Sequence, residues 1–153
     1  MRLIAFAAVV LVAAAVAAKP PTKPAALKLM HERHENMEAI GKAVKIANRA
    51  LRSDSPDLQA IRSSAASIAG FAPKARNWFP AGTGPDVGKT MAKPAIWQNP
   101  ADFRRKMDDF NTAARSFNVA AKGGDLPRIR SAFANLGKTC KACHEPYRTP
   151  HED

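Results

Sequence analysis

The chain has 153 residues, and its 24 lysines and arginines outnumber the 13 aspartates and glutamates, which gives a formal net charge of +11. This length suits one domain with a single hydrophobic core. Two cysteines are too few for a four-cysteine zinc site. Beyond the first 18 residues no apolar run reaches membrane length, so a protein with several membrane spans is excluded.

The N-terminal residues have the composition of a secretory signal peptide. Arg2 makes the start positive, residues 3–12 are apolar, and small residues lead up to Ala18. This run is shorter than the ~20 residues that a membrane-spanning helix needs, so we expect cleavage after Ala18 and no stable membrane span. Export predicts a periplasmic protein with no nucleic-acid partner, and the positive charge then favours acidic partner proteins. The predicted organisation is a signal peptide at 1–18, a proline-rich lead-in at 19–24 and one domain at 25–153.

The first predicted helix runs from about Ala25 to Leu51. Apolar or semi-apolar side chains recur every three or four residues and line one side, which is typical of an amphipathic helix; they include Leu27, Met30, His34, Met37 and Val44. The charged residues between them, Arg33 included, are predicted to face solvent.

The second predicted helix starts at a capping signal, Ser55 followed by Pro56, and is expected to stop at Gly70. An irregular region from about 71 to 99 comes next, rich in proline and glycine. Its aromatic side chains, such as Phe79 and Trp97, are too apolar for a disordered linker. We therefore expect this region to wrap over the core.

Two further helices complete the chain. Asn99 and Pro100 mark the start of the third helix, and Gly123-Gly124 marks its end. Asp125 then caps the fourth helix, whose inner side includes Ile129 and Leu136. Four amphipathic helices and no convincing strand predict an all-α fold, an antiparallel up-down four-helix bundle.

The last helix carries Cys140-Lys141-Ala142-Cys143-His144, and C-x-x-C-H is the signature of covalent c-type haem attachment. Two thiols add across the vinyl groups of one porphyrin, and the adjacent imidazole reaches the iron from the same helix face. A disulfide, a thioredoxin-type thiol pair and half of a zinc site are the alternatives, but the thiol pair expects a βαβ setting and zinc needs four ligands. The motif predicts one haem c, with its iron, per chain, and the expected acidic partners are then redox partner proteins.

Residues 132–148 resemble the last helix of the class II cytochromes c, the cytochrome c′ family. Phe79-Pro80, Gly82-Thr83-Gly84 and Lys93–Trp97 resemble that family's loop, and the similarity runs from about Leu27 to Arg148. The resemblance implies a left-handed bundle that holds haem between helices. Cys140 and Cys143 would form the thioethers, and His144 would be the proximal iron ligand. No catalytic acid, base or nucleophile is implied, so we expect no enzyme.

Three more residues are candidates for contact with the haem. Gly137 in a helix interior costs ~0.5–1 kcal/mol relative to alanine, which is consistent with close approach of a porphyrin. Arg148 matches a family position near the haem, and the alternative is a solvent-facing cation near the helix end. Trp97 either touches the haem or anchors the loop, and anchoring is the preferred interpretation.

The sixth iron position separates two branches of this family. Met30 occupies the place that resembles the methionine ligand of the low-spin branch, which predicts an electron carrier with His/Met ligation. The alternative is a five-coordinate cytochrome c′ that binds nitric oxide or carbon monoxide. His34, one turn from Met30, would give bis-histidine ligation. In the family an arginine commonly stands four residues before the distal position, and here that residue is Ala26.

Two further points stay open in the sequence. An exported helical protein without haem, with a disulfide or thiol pair at Cys140 and Cys143, is a third possibility from another class. The surface shows no clear apolar patch, so the chain is expected to be a monomer or a homodimer.

Overall fold

The computed structural model describes residues 20–150, and the predicted signal peptide at 1–18 lies outside that range. The helices are α1 (Lys23–Arg52), α2 (Leu58–Ala75), α3 (Ala95–Gln98), α4 (Pro100–Gly123) and α5 (Leu126–Tyr147), with a 3₁₀ turn at Arg76–Trp78. The described residues form no strand, and their one β-bridge joins Ala92 to Arg148. The predicted all-α four-helix bundle is confirmed, with α1, α2, α4 and α5 as its four helices.

Helix α2 differs from its prediction at both ends. Asp57 rather than Ser55 is the cap, and its Oδ1 accepts hydrogen bonds from the backbone N–H groups of Gln59 at 2.9 Å and Ala60 at 3.0 Å. The helix continues past Gly70 to Ala75, since Ala72 and Ala75 are buried in the core on that last turn. Burial of these side chains outweighs the low helix propensity of one glycine.

The connection between α4 and α5 matches its prediction. Gly124 has φ +79°, and its backbone N–H donates to the carbonyl of Ala120 at 3.2 Å, which ends α4. Such a left-handed cap favours glycine because a Cβ is strained there. Helix α5 begins two residues later, so α4 and α5 are antiparallel neighbours.

The four long helices pack in chain order: α1 against α2, α2 against α4 and α4 against α5. Their shared core has fully buried residues that include Ile61, Ile68, Phe117, Ile129 and Leu136. The backbones of α1 and α5 do not approach each other as closely as at the other three edges. This edge of the bundle is therefore the one at which helix packing leaves most room.

Up-and-down topology brings the first half of α1, the start of α4 and the end of α5 to one end of the bundle, which we call the loop end. The segment from 76 to 99 closes this end, as predicted. Its Phe79 ring meets Phe103 edge-on at 4.9 Å, and Phe103 in turn meets Tyr147 at 5.2 Å. None of the helices between residues 20 and 150 combines the length and apolar character needed to cross a membrane.

Candidate haem-binding site

Both cysteines of the C-x-x-C-H motif are free thiols on α5, with Cys143 buried and Cys140 half-buried. Burial raises the pKa of Cys143 to about 11 and also raises that of Cys140. The thiols are therefore protonated at neutral pH, whereas a redox-active pair needs a lowered pKa. This environment argues against the thiol-pair alternative, and the described fold has no βαβ unit to support one.

His144 lies one turn after Cys140 and is exposed at the surface of α5. Neighbouring protein atoms nevertheless desolvate its imidazole, which lowers the pKa, and the nearby charge of Arg148 lowers it further. A neutral imidazole is the form that binds a metal ion. The position of His144 in the motif and its neutral imidazole both suit an iron ligand.

The motif spans two faces of α5: Cys143 is buried in the core near Lys106 and Asp102 of α4, and His144 lies on the flank that faces away from α4. Arg128, Asn135 and Thr139 line a groove between α4 and α5 on one flank. His144 projects from the opposite flank, and Cys140 lies between that flank and the core, since 3.6 residues make one helical turn. That flank adjoins the loosely packed edge between α1 and α5. A thiol in the core, a second thiol at its border and an imidazole beside the open edge fit a covalently attached haem.

Gly137 is exposed on α5, and a Cβ built on it would meet no protein atom within 4 Å. Nothing in the described protein atoms requires glycine at this position. Its predicted contact with a porphyrin stays a prediction.

Arg148 is half-buried and donates from Nη2 to the sulfur of Met91 at 3.5 Å. The backbone around it is held by two hydrogen bonds, from the N–H of Lys93 to the carbonyl of Tyr147 at 2.9 Å and from the N–H of Thr149 to the carbonyl of Met91 at 2.8 Å. The end of α5 is thus fixed to the loop, one turn beyond His144.

Tyr147 is a buried residue whose role the sequence did not reveal. Its hydroxyl donates to Asp102 Oδ2 at 2.6 Å, which joins the end of α5 to the start of α4. Burial, and then the adjacent carboxylate, raise the pKa of Tyr147 to about 12. The same hydrogen bond is the main cause of a lowered pKa at Asp102.

Trp97 anchors the loop. Its Nε1–H lies within hydrogen-bonding distance of the carbonyl oxygens of Phe79 at 3.2 Å and Pro80 at 3.1 Å. The indole also packs beside Gly84, where a Cβ would come within 3.4 Å of the ring. Contact between Trp97 and a haem stays a prediction.

Met30 and His34 lie in different surroundings on α1. Met30 is buried beside the loop, and a Cβ on Gly88 would lie 3.5 Å from its Cε and 4.0 Å from its Sδ. Met30 is not part of the core cluster that contains Cys143. His34 was predicted on the apolar side, and this is wrong: it is exposed, with Nε2 3.5 Å from Glu38 Oε1.

Arg33 was predicted to face solvent, and this too is wrong because the side chain is only 4% exposed. Its guanidinium donates to Thr83 and Thr90 and lies over the Phe79 ring, 4.8 Å from the centroid. The signal that could have identified it is spacing: Arg33 stands four residues before Met37. The family's arginine is thus present if Met37, rather than Met30, is in the distal position.

Comparison with known proteins identifies the family. The family model for cytochrome c′ matches residues 28–148. A cytochrome c′ of Pararhodospirillum photometricum is 30% identical over 116 residues, which cover 76% of this chain and 92% of that protein. A cytochrome c-556 of Agrobacterium tumefaciens is 31% identical over 120 residues, covering 78% and 95%. Other curated relatives match over a shorter stretch, which spans about half of their own length.

Solved structures agree with this assignment. Cytochrome c′ of Shewanella frigidimarina superposes with a TM-score of 0.76 at 32% identity, covering 82% of this chain and 97% of that one. A nitric oxide complex of a cytochrome c′ variant from Alcaligenes xylosoxidans superposes with a TM-score of 0.72 at 25% identity, covering 86% and 100%.

These findings correct the predicted function. One-electron transfer with His/Met ligation, and with it the low-spin branch, is not supported, since the family model and the solved structures above are of cytochromes c′. The packing agrees, because the Met30 thioether lies against Gly88 and outside the core cluster that contains Cys143.

The match over residues 28–148 and the relative aligned over 92% of its length lead to one conclusion. The chain belongs to the cytochrome c′ family and carries one covalently attached haem c.

Proposed function

We propose that this protein is a five-coordinate cytochrome c′ that binds nitric oxide or carbon monoxide at haem iron. The observation that carries the proposal is the placement of the other candidate ligands. His34 pairs with Glu38 at the surface, and the Met30 sulfur packs under the loop at Gly88. His144 is then the candidate ligand that fits both the motif and its place in the fold, and Met37, on α1, is assigned to packing.

Three side chains of α5 would hold the haem. Cys140 and Cys143 supply the two thiols, and His144 supplies the imidazole on the proximal side. The haem iron, when bound, supplies the chemistry of the site, which is reversible coordination of a diatomic gas. The hydrogen bonds at Lys93 and Thr149 hold the end of α5 and so keep the His144 backbone in place.

On the opposite side of the site, Met37 would play the part that the family gives to its distal side chain. Arg33, one turn before Met37, is buried, and its guanidinium donates hydrogen bonds to Thr83 and Thr90 of the loop. Met37 is half-buried against the core and lies one turn further along α1. Its soft, unbranched side chain can cover the open iron position by packing.

The setting proposed for this activity is the periplasm, on the strength of the signal-peptide pattern. The net charge of +11 favours an acidic protein partner. The chain is expected to be a monomer or a homodimer. One solved cytochrome c′ of this fold forms a dimer whose dissociation is controlled by ligand.

The absorption spectrum of protein matured with haem tests the proposal. We expect a high-spin ferric spectrum and a ferrous spectrum that shifts at once on addition of carbon monoxide. Haem staining on a denaturing gel should be positive, because a thioether-linked cofactor survives denaturation. A low-spin spectrum that carbon monoxide does not change would overturn the five-coordinate assignment.

A further inference from the structure

Arg33 is a buried cation whose hydrogen-bond partners all belong to the loop. Its Nη1 donates to Thr83 Oγ1 at 3.2 Å, and its Nη2 donates to the Thr83 carbonyl at 3.1 Å and to Thr90 Oγ1 at 3.0 Å. Thr83 is fully buried, and its own hydroxyl donates to the carbonyl of Pro80 at 2.7 Å. Since a buried charge is costly without hydrogen bonds, Arg33 and the loop depend on each other.

The contacts of Arg33 are distributed along the loop. The guanidinium lies over Phe79 at one end of this segment and reaches Thr90 at the other. Residues 79–90, which we call the latch loop, are therefore tied to α1 at three points. Desolvation lowers the pKa of Arg33 to about 10, so the group still carries its charge at neutral pH.

Between the two threonines, the latch loop lies directly on α1. A Cβ added to Gly88 would come within 2.6 Å of Leu27 Cδ2 and 3.5 Å of Met30 Cε. The loop backbone therefore covers the first half of α1, and it buries Met30 to 6% exposure. Loss of the Arg33 contacts would therefore release the latch loop from the first half of α1.

We propose that Arg33 is a positioning residue that holds the latch loop closed over α1 and thereby limits how fast a diatomic gas enters and leaves the site. This inference rests on the proposed function, since it assumes that gas binds on the α1 side of the haem. A closed loop slows entry and exit by the same factor and leaves the equilibrium affinity nearly unchanged. Arg33 acts on the gas only through the loop.

Two variants test the latch. Thr90→Val removes one acceptor of Arg33 with little change in side-chain volume, and Arg33→Lys keeps the charge but loses the planar fork that reaches both threonines. Arg49→Lys, an exposed arginine on the same helix, is the matched control. Flash photolysis of the ferrous carbon monoxide complex of the full haem protein gives both rate constants, and amide hydrogen exchange reports opening of residues 79–90.

We expect both latch variants to raise the association and dissociation rates several-fold, with affinity nearly constant and faster exchange in the latch loop, while Arg49→Lys behaves as wild type. Unchanged rates with faster exchange would overturn the latch. A change in affinity caused by Arg33→Lys but not by Thr90→Val would also overturn it, because Arg33 would then act on the haem directly. A wild-type ferrous protein that ignores carbon monoxide would overturn the proposed function itself, and this inference with it.

Discussion

The two ends of the bundle are built differently. At the end opposite the loop, the helices meet through small and apolar side chains such as Ala47, Ala65, Ala114 and Phe117, all fully buried, and the connections are short. At the loop end, the buried set includes a guanidinium, a threonine and a tyrosine hydroxyl, namely those of Arg33, Thr83 and Tyr147. Polar groups that are costly to bury are concentrated where the C-x-x-C-H motif lies. The opposite end contributes stability, and the loop end contributes the site.

Replacement of both motif cysteines by serine should have the largest effect of these substitutions, because it abolishes haem attachment at the loop end. Cys140→Ser with Cys143→Ser removes both thiols, so no thioether can form and the denatured chain should show no haem stain. Far-ultraviolet circular dichroism of the same sample reports the helices. A double variant that still stains for haem after denaturation would show that attachment does not use these thiols.

Phe117→Ala should damage the opposite end alone. This side chain is fully buried and packs against Phe133 at a ring separation of 5.2 Å. Truncation of a buried phenylalanine costs about 3–5 kcal/mol in the free energy of unfolding, measured by denaturant titration. Carbon monoxide affinity should stay at the wild-type value under native conditions. Val119→Ala, at a position 69% exposed, is the control and should cost less than about 0.5 kcal/mol.

Tyr147→Phe should change how stability at the loop end depends on pH. Because the pKa of Tyr147 is raised to about 12, its contribution is complete below the unfolded value and is lost as pH rises through the folded value. The lowered pKa of Asp102 works in the other direction: its contribution is present above the unfolded value and is lost as pH falls through the folded one. The variant should therefore have a flatter stability profile at both extremes of pH, measured by denaturant titration. An unchanged profile would mean that this hydrogen bond does not control either titration.

The contrast between the ends also explains which features could be predicted from sequence. Helix periodicity, the Gly124 cap and the C-x-x-C-H motif depend on local chemistry, and each is found where the pattern placed it. Gly70 predicts a stop because its low helix propensity is a local effect, whereas the burial of Ala75 is a tertiary effect. Local spacing likewise predicts a solvent-facing Arg33, because its partners Thr83 and Thr90 are 50 and 57 residues away in the chain. Long-range polar contacts at the loop end are what periodicity does not reveal.

Met30→Leu should have the smallest effect. It tests whether this methionine only packs against its neighbours or binds the haem iron. Leucine has a similar volume, so the free energy of unfolding should change by less than about 1.5 kcal/mol. Leucine cannot coordinate iron, yet the haem spectrum and its response to carbon monoxide should match those of the wild type, because the Met30 sulfur is packed at Gly88. Met37→Leu is the informative companion, since Met37 packs against the core that contains Cys143. If Met30→Leu alone converted a low-spin spectrum to a high-spin one, the packing in this structure would not be that of the haem-loaded protein. An unchanged spectrum in both variants would mean that neither sulfur binds the iron, and that each methionine acts only through the space it fills.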